Sequence, residues 1–304
     1  MTLIVAVNAR ESIWLLADRR LSARGYAPKD DARKLLFLET EDGVAILGYA
    51  GLGATASGNE PADWMSAVLR GRNLPLEQSL DVLAEALKKQ FPQHMVQMPG
   101  TGLLAHHVII TAFVGNEVRC YTIDLVLEPD RKNYRFRYTR HVTSATIPQT
   151  TPLTIGGNGA NFLLRDKKWI RPLLHVVRAY DHGKVSSFAV ADHLACLNYK
   201  VSLRISDKSV GPQCIVAWRN RKKGIHKEGG SHQFYTGTTR DTSSPLLPTI
   251  VTGTDLAALI KLMMPHMSEQ SEAMQRGEAA KEMDKDEINA ELALLPDKPD
   301  ENLR

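Results

Sequence analysis

Cysteine is scarce in this chain: Cys120, Cys196 and Cys214 stand far apart and are odd in number among 304 residues. That excludes a disulfide framework and points to a reducing, cytoplasmic setting. With no C-x-x-C pair, a structural zinc site has no support. Long apolar runs are missing too; none reaches the ~18–20 residues that a membrane span needs. The start lacks the basic region and apolar stretch of a signal peptide, so no membrane partner is expected. Internal repeats, low-complexity tracts and sustained heptads are absent, which excludes a solenoid and a coiled coil.

What remains is ordinary globular material. Hydrophobic residues make up 43% and charged residues 24%, which fits one large domain with an appendage, or two small domains. The net charge of +4 is uneven. From Ser268 to Arg304 there are 11 acidic and 5 basic residues, so the body is basic and the tail acidic. The basic residues are scattered except in Arg219-Asn220-Arg221-Lys222-Lys223, which reads as a solvated turn between strands, not as a nucleic-acid surface.

Hydrophobic periodicity orders the chain. Strands are expected at residues 3–7, 13–17, 35–39 and 44–48, followed by helices over 61–70 and 76–91. A second strand group covers 108–114, 118–123, 134–142 and 153–155. Gly156-Gly157-Asn158-Gly159 then opens a helical stretch from 160 to 180 with a break at Pro172, and another helix follows over 185–202. Strands at 213–219 and 232–235 close the body. Such segregated runs predict a layered α+β fold. Residues 239–248 read as a turn-rich linker, 255–264 as a short apolar helix capped by Thr254, and the rest as a solvated, partly disordered acidic tail.

Three polar residues carry chemistry. Removal of Met1, which the small second residue favours, leaves Thr2 with a free α-amine beside its hydroxyl, nucleophile and base in one residue. A lysine nearby, Lys34, would depress that amine's pKa by like-charge repulsion, and Asp18 would hold the lysine charged.

Thr2, Ala17-Asp18-Arg19-Arg20-Leu21-Ser22, Lys34 and Gly48-Tyr49-Ala50-Gly51 together resemble the proteasome β-subunit family of N-terminal nucleophile hydrolases, in particular its bacterial HslV-like and proteasome-homologue members. The resemblance is specific over about the first 55 residues. It implies a four-layer αββα sandwich over 2–239, with 240–304 as linker, short helix and tail. It also implies an acyl-enzyme at Thr2, assisted by Lys34 and Asp18, with the Gly48 N–H as oxyanion donor. Ser22 would bind substrate backbone added as a strand. Leu21, Ala32, Leu36, Ile46, Ala50 and Ala54 would line an apolar specificity pocket.

The family's supporting motifs are altered here. Asn158 or Gly157 stands where a serine is expected. In Ser206-Asp207-Lys208-Ser209-Val210-Gly211, Ser209 aligns with the motif serine while Ser206 takes the aspartate's place, leaving Asp207 as the candidate substitute. The implied activity is peptide-bond hydrolysis without cofactor or metal. Peptide or unfolded protein is the implied substrate, in a homo-oligomeric ring or related assembly, with any ATPase unfoldase a separate chain. A non-catalytic structural subunit and a small-molecule amidase or transpeptidase are the alternatives.

Other readings of single features are weaker. The glycine-rich turn lacks the lysine and hydroxyl residue of a phosphate loop. His106 and His107 point to opposite faces of a strand and cannot share a metal; His182, His193 and His226 have no ligand spacing. Trp64, Trp169 and Trp218 read as core or interface.

Overall fold

The computed structural model describes residues 2–21, 27–50, 60–97, 106–128, 134–141, 153–221, 229–241 and 247–277, together with 286 and 290. Ser22, Gly51, Ala54, His226 and nearly all of the acidic tail beyond 277 lie outside the described residues.

Two sheets form the body. In the first, β1 (Leu3–Asn8) and β2 (Ser12–Asp18) form a hairpin whose strand residues are all buried. β8 (Leu153–Gly157) flanks β1, and β9 (Cys214–Asn220), β10 (Gly229–Thr236) and β11 (Thr239–Arg240) extend the β2 side, giving the order β11-β10-β9-β2-β1-β8. The second sheet contains β3 (Leu35–Glu39), β4 (Gly43–Ala50), β5 (His107–Val114), β6 (Glu117–Leu127) and β7 (Tyr134–His141) as an antiparallel run. β12 (Thr249–Val251) and β13 (Thr254–Asp255) complete its other edge, with β12 parallel to β3.

Strand alternation sorts side chains into three apolar layers. Ile4, Ala6, Leu15 and Ala17 meet Leu35, Phe37, Ile46 and Ile109 between the sheets. Leu3, Val5, Trp14 and Leu16 face outward against α3 (Asn158–Arg165), α4 (Arg171–Asp181) and α5 (Ser187–Arg204), with Leu163, Val177 and Leu194 packed on them. On the far side Leu36, Leu38, Leu47 and Ile110 receive Trp64, Met65 and Leu83 of α1 (Pro61–Leu69) and α2 (Leu76–Gln97). The layers therefore run helix, sheet, sheet, helix. Because β1 and β2 are covered on both faces, they read as continuous apolar runs.

Several expected elements differ in detail. The helix expected over 160–180 is two helices, separated at Asp166, whose side chain accepts from the Lys168 N–H at 3.0 Å over a single 3-10 turn, Lys167–Trp169. Pro172 does not break it; it sits in the first turn of α4, where a missing N–H is harmless. The expected linker at 239–248 begins with β11, and β12 and β13 were missed because two or three residues are too short to show alternation. The last helix, α6 (Leu256–Gln275), runs well past residue 264, and its cap is Asp255, not Thr254.

Asp255 ties this segment to the body. Its buried carboxylate accepts from Ser66 Oγ at 2.7 Å and Arg70 Nη2 at 2.6 Å, as well as from the Ala258 N–H. Burial pushes the carboxyl's pKa up, but hydrogen bonds from Arg70, Ser66 and Ala258 outweigh it and hold it below the usual aspartate range. A carboxyl depressed in the folded state contributes stability above its unfolded pKa and loses it as pH falls through the folded value. Asp255→Ala should cost about 3 kcal/mol in urea unfolding at neutral pH, with the difference from the unaltered protein shrinking under acid. An equal cost at pH 7 and below pH 3 would contradict this.

Candidate functional site

Thr2 immediately precedes β1 and shares the parity of Ile4 and Ala6, which face the layer between the sheets. Asp18 ends β2 and Lys34 stands just before β3. The strands thus deliver all three residues to one end of the sandwich. All are buried: Thr2 is 2% exposed, Asp18 0% and Lys34 2%.

Lys34 Nζ donates to Thr2 Oγ1, to Asp18 Oδ1 at 3.1 Å and to the Arg20 carbonyl at 2.7 Å. Three acceptors match the three donors of an ammonium group. Asp18 accepts from backbone as well: Oδ1 takes the Leu3 N–H at 2.9 Å, and Oδ2 takes the N–H groups of Arg20 and Gly211, each at 3.1 Å. Burial lowers the Lys34 pKa, and the Asp18 carboxylate offsets part of that shift. A cation held in such a place stabilises negative charge on the threonine oxygen.

The turn after β8 completes the cradle. Gly157 has φ +82°, and a Cβ there would lie 2.0 Å from the Thr2 carbonyl oxygen. The Thr2 carbonyl accepts from the Gly159 N–H at 3.4 Å. The Asn158 amide donates to Asp207 Oδ2 at 3.4 Å. In the 206–211 turn, Ser209 is buried and its N–H donates to Asp207 Oδ1 at 2.9 Å, while Ser206 and Asp207 are exposed. Gly211 reaches the site through its N–H on Asp18.

Two expectations about the site need correction. Gly48 lies within β4, opposite Leu35 on β3 and Ile109 on β5. The neighbouring Tyr49 N–H donates to the Lys34 carbonyl on the β3 side. Successive amides in a strand point in opposite directions, so the Gly48 N–H points toward β5, where Gly48 pairs with Ile109. It is not a free oxyanion donor. What the glycine provides is closeness, since a Cβ would press on Leu15, Leu35 and Ile4 at 3.0–3.3 Å where the sheets meet.

The pocket residues that the resemblance implies do not all share one face. Cross-strand partners share a face, and the register pairs Leu36 with Leu47, not with Ile46. Leu36 accordingly packs toward α1 and α2, whereas Ile46 and Ala50 lie between the sheets. Ala32 is fully buried and its N–H donates to the Arg19 carbonyl at 3.0 Å; Leu21 is half-buried and pairs with Lys29. Sequence reasoning missed the Arg20 carbonyl, the Gly211 N–H and His107, which touches the glycine turn. Backbone groups leave no side-chain signal, and the only cue for His107 was a histidine opening a strand.

No protein-family model matches the chain, and no curated protein matches it. Solved structures do. An Anbu (Gly-1) mutant from Hyphomicrobium sp. strain MC1 is 15% identical, covering 75% of this chain and 87% of that one, with a TM-score of 0.43. Anbu (ancestral beta-subunit) from Yersinia bercovieri is 17% identical, covering 72% and 82%, with a TM-score of 0.42. The helical assembly of the Anbu complex from Pseudomonas aeruginosa is 15% identical, covering 92% and 98%, with a TM-score of 0.44. At these identities and scores the likenesses carry no inference about chemistry, which rests on the residues themselves.

Removal of Asp18 strands more buried groups than removal of Lys34. Asp18→Ala should therefore destabilise the protein by about 3–5 kcal/mol, and by more than Lys34→Met, measured by denaturant unfolding. The reverse order would contradict this.

Proposed function

We propose that the protein is an N-terminal threonine hydrolase of amide bonds, with the proteasome-like N-terminal nucleophile fold extending over 2–239 and the 240–304 segment as an addition to it. The observation that carries the reading is the buried Lys34 ammonium set on Thr2 Oγ1 and backed by Asp18.

With Met1 removed, Thr2 Oγ attacks the amide carbonyl and its proton passes to the α-amine through water. The tetrahedral intermediate collapses as the leaving amine takes that proton back from the α-ammonium, and the acyl ester on Thr2 is then cleaved by water to release the acid and restore the hydroxyl. Lys34 stabilises the negative charge that Oγ takes on as its proton leaves, and keeps the α-amine unprotonated before attack. The substrate in this reading is a peptide or unfolded chain with an apolar residue before the cut, and the protein works as a homo-oligomer. Ser209 and Asp207 support the turn that brings Gly211 to Asp18.

A second reading, a non-catalytic subunit on the same fold, is favoured by one observation: Gly48 is paired within the sheet with Leu35 and Ile109 on either side. The test is hydrolysis of an apolar peptide anilide. Thr2→Ala should abolish it, and Lys34→Met should lower kcat by on the order of 10²–10³. Since the mechanism uses charged Lys34, and burial lowers its pKa, the rate should fall on the alkaline side below the ordinary lysine value. That limb should vanish in Lys34→Met. Cleavage that survives in Thr2→Ala would overturn the reading, and no cleavage by the oligomer with Met1 removed would favour the structural subunit.

A further inference from the structure

His107 opens β5 in the second sheet, yet its side chain reaches the first. Its Nε2 accepts a hydrogen bond from the Gly157 N–H at 3.0 Å. An accepting Nε2 places the ring proton on Nδ1. The fit against the turn is close: a Cβ on Gly156 would stand 2.3 Å from His107 Nε2. Gly157 in turn pairs with Leu3, next to the nucleophile, and bears on the Thr2 carbonyl. One imidazole therefore joins the two sheets at the point where the Thr2 backbone is fixed.

We infer that His107 is a positioning residue for Thr2, acting through Gly157, and that its neutral form is required to hold the nucleophile in place. This rests on the hydrolase reading above. A proton on Nε2 would turn the acceptor into a donor facing the Gly157 N–H, and the turn against Thr2 would loosen.

The groups around the ring set where this happens. Across β6 stands Asp124, across β4 Ala50, and on β8 the uncharged Gly156 and Gly157. Asp124 is itself opposite Arg137 on β7 and shares Thr122 Oγ1 with His141. Burial disfavours the imidazolium and lowers the His107 pKa, with Asp124 pulling the other way. A histidine depressed in the folded state keeps its contribution above its unfolded pKa and loses it as pH falls through the folded value. The switch therefore acts in mild acid, below the ordinary histidine range.

Two variants and two readouts test it. His107→Leu removes the acceptor, while His107→Gln sets an amide oxygen near the former Nε2. The first readout is the pH dependence of kcat on the apolar peptide anilide. The unaltered enzyme should show an acid limb below pH about 6.5. His107→Leu should lose on the order of 10- to 100-fold at pH 8; His107→Gln should recover most of that loss without the histidine limb.

The second readout needs no activity: the Gly157 amide resonance in a heteronuclear NMR titration should shift with the same midpoint as the His107 ring and lose that shift in His107→Gln. Wild-type rates and an unchanged pH profile in folded His107→Leu would overturn the inference, as would a Gly157 resonance that ignores the ring's titration. A coupled Gly157 shift with no hydrolysis by the unaltered protein would instead sink the hydrolase reading while leaving the His107–Gly157 link in place, and the claim of a catalytic role would fall with it.

Discussion

The arrangement of this protein turns on one buried cation. A lysine ammonium at 2% exposure is tolerable only if every donor finds an acceptor. Lys34 meets that requirement with a hydroxyl from the residue before β1, a carboxylate from the end of β2 and a carbonyl from Arg20. The acceptors come from two places in the chain, the residue before β1 and the stretch from Asp18 to Arg20 at the end of β2. They converge because the first sheet must sit squarely on the second, and a displacement of either sheet would leave a charge without partners. The demand of the lysine and the register of the sheets are thus the same constraint.

Asp18 extends that constraint into the backbone. By accepting from Leu3, Arg20 and Gly211 it joins β1, the segment after β2 and the turn before β9. Glycines at Gly48, Gly157 and Gly211 allow the approach, each at a position where a Cβ would meet a neighbour within about 3 Å. At Gly211 that neighbour is Asp30, whose carboxylate holds Arg20 at 2.7 Å through two hydrogen bonds. A group of small residues beside a rigid charge network is a setting in which a nucleophile can be held without freedom to rearrange.

Much of this was legible in the sequence, for identifiable reasons. β1 and β2 declare themselves by β-branched and leucine-rich runs, and α1 and α2 by helical spacing. Thr2, Asp18 and Lys34 stand out by residue type and spacing, and the structure brings them together. The register was not legible. Leu36 and Ile46 look like neighbours in a list of apolar positions, but a one-residue offset in pairing sends them to opposite faces. The direction of the Gly48 N–H follows from the same register and was equally hidden. β12 and Asp255 escaped because a three-residue strand and a buried ion pair leave no periodic trace.

The most direct test of the central claim is the intact mass of the purified protein before and after an epoxyketone, which reacts fully only with an N-terminal threonine bearing both hydroxyl and free amine. Loss of Met1 and a single adduct that is absent from Thr2→Ala are expected. Retained Met1, or an adduct that persists in Thr2→Ala, would contradict the claim.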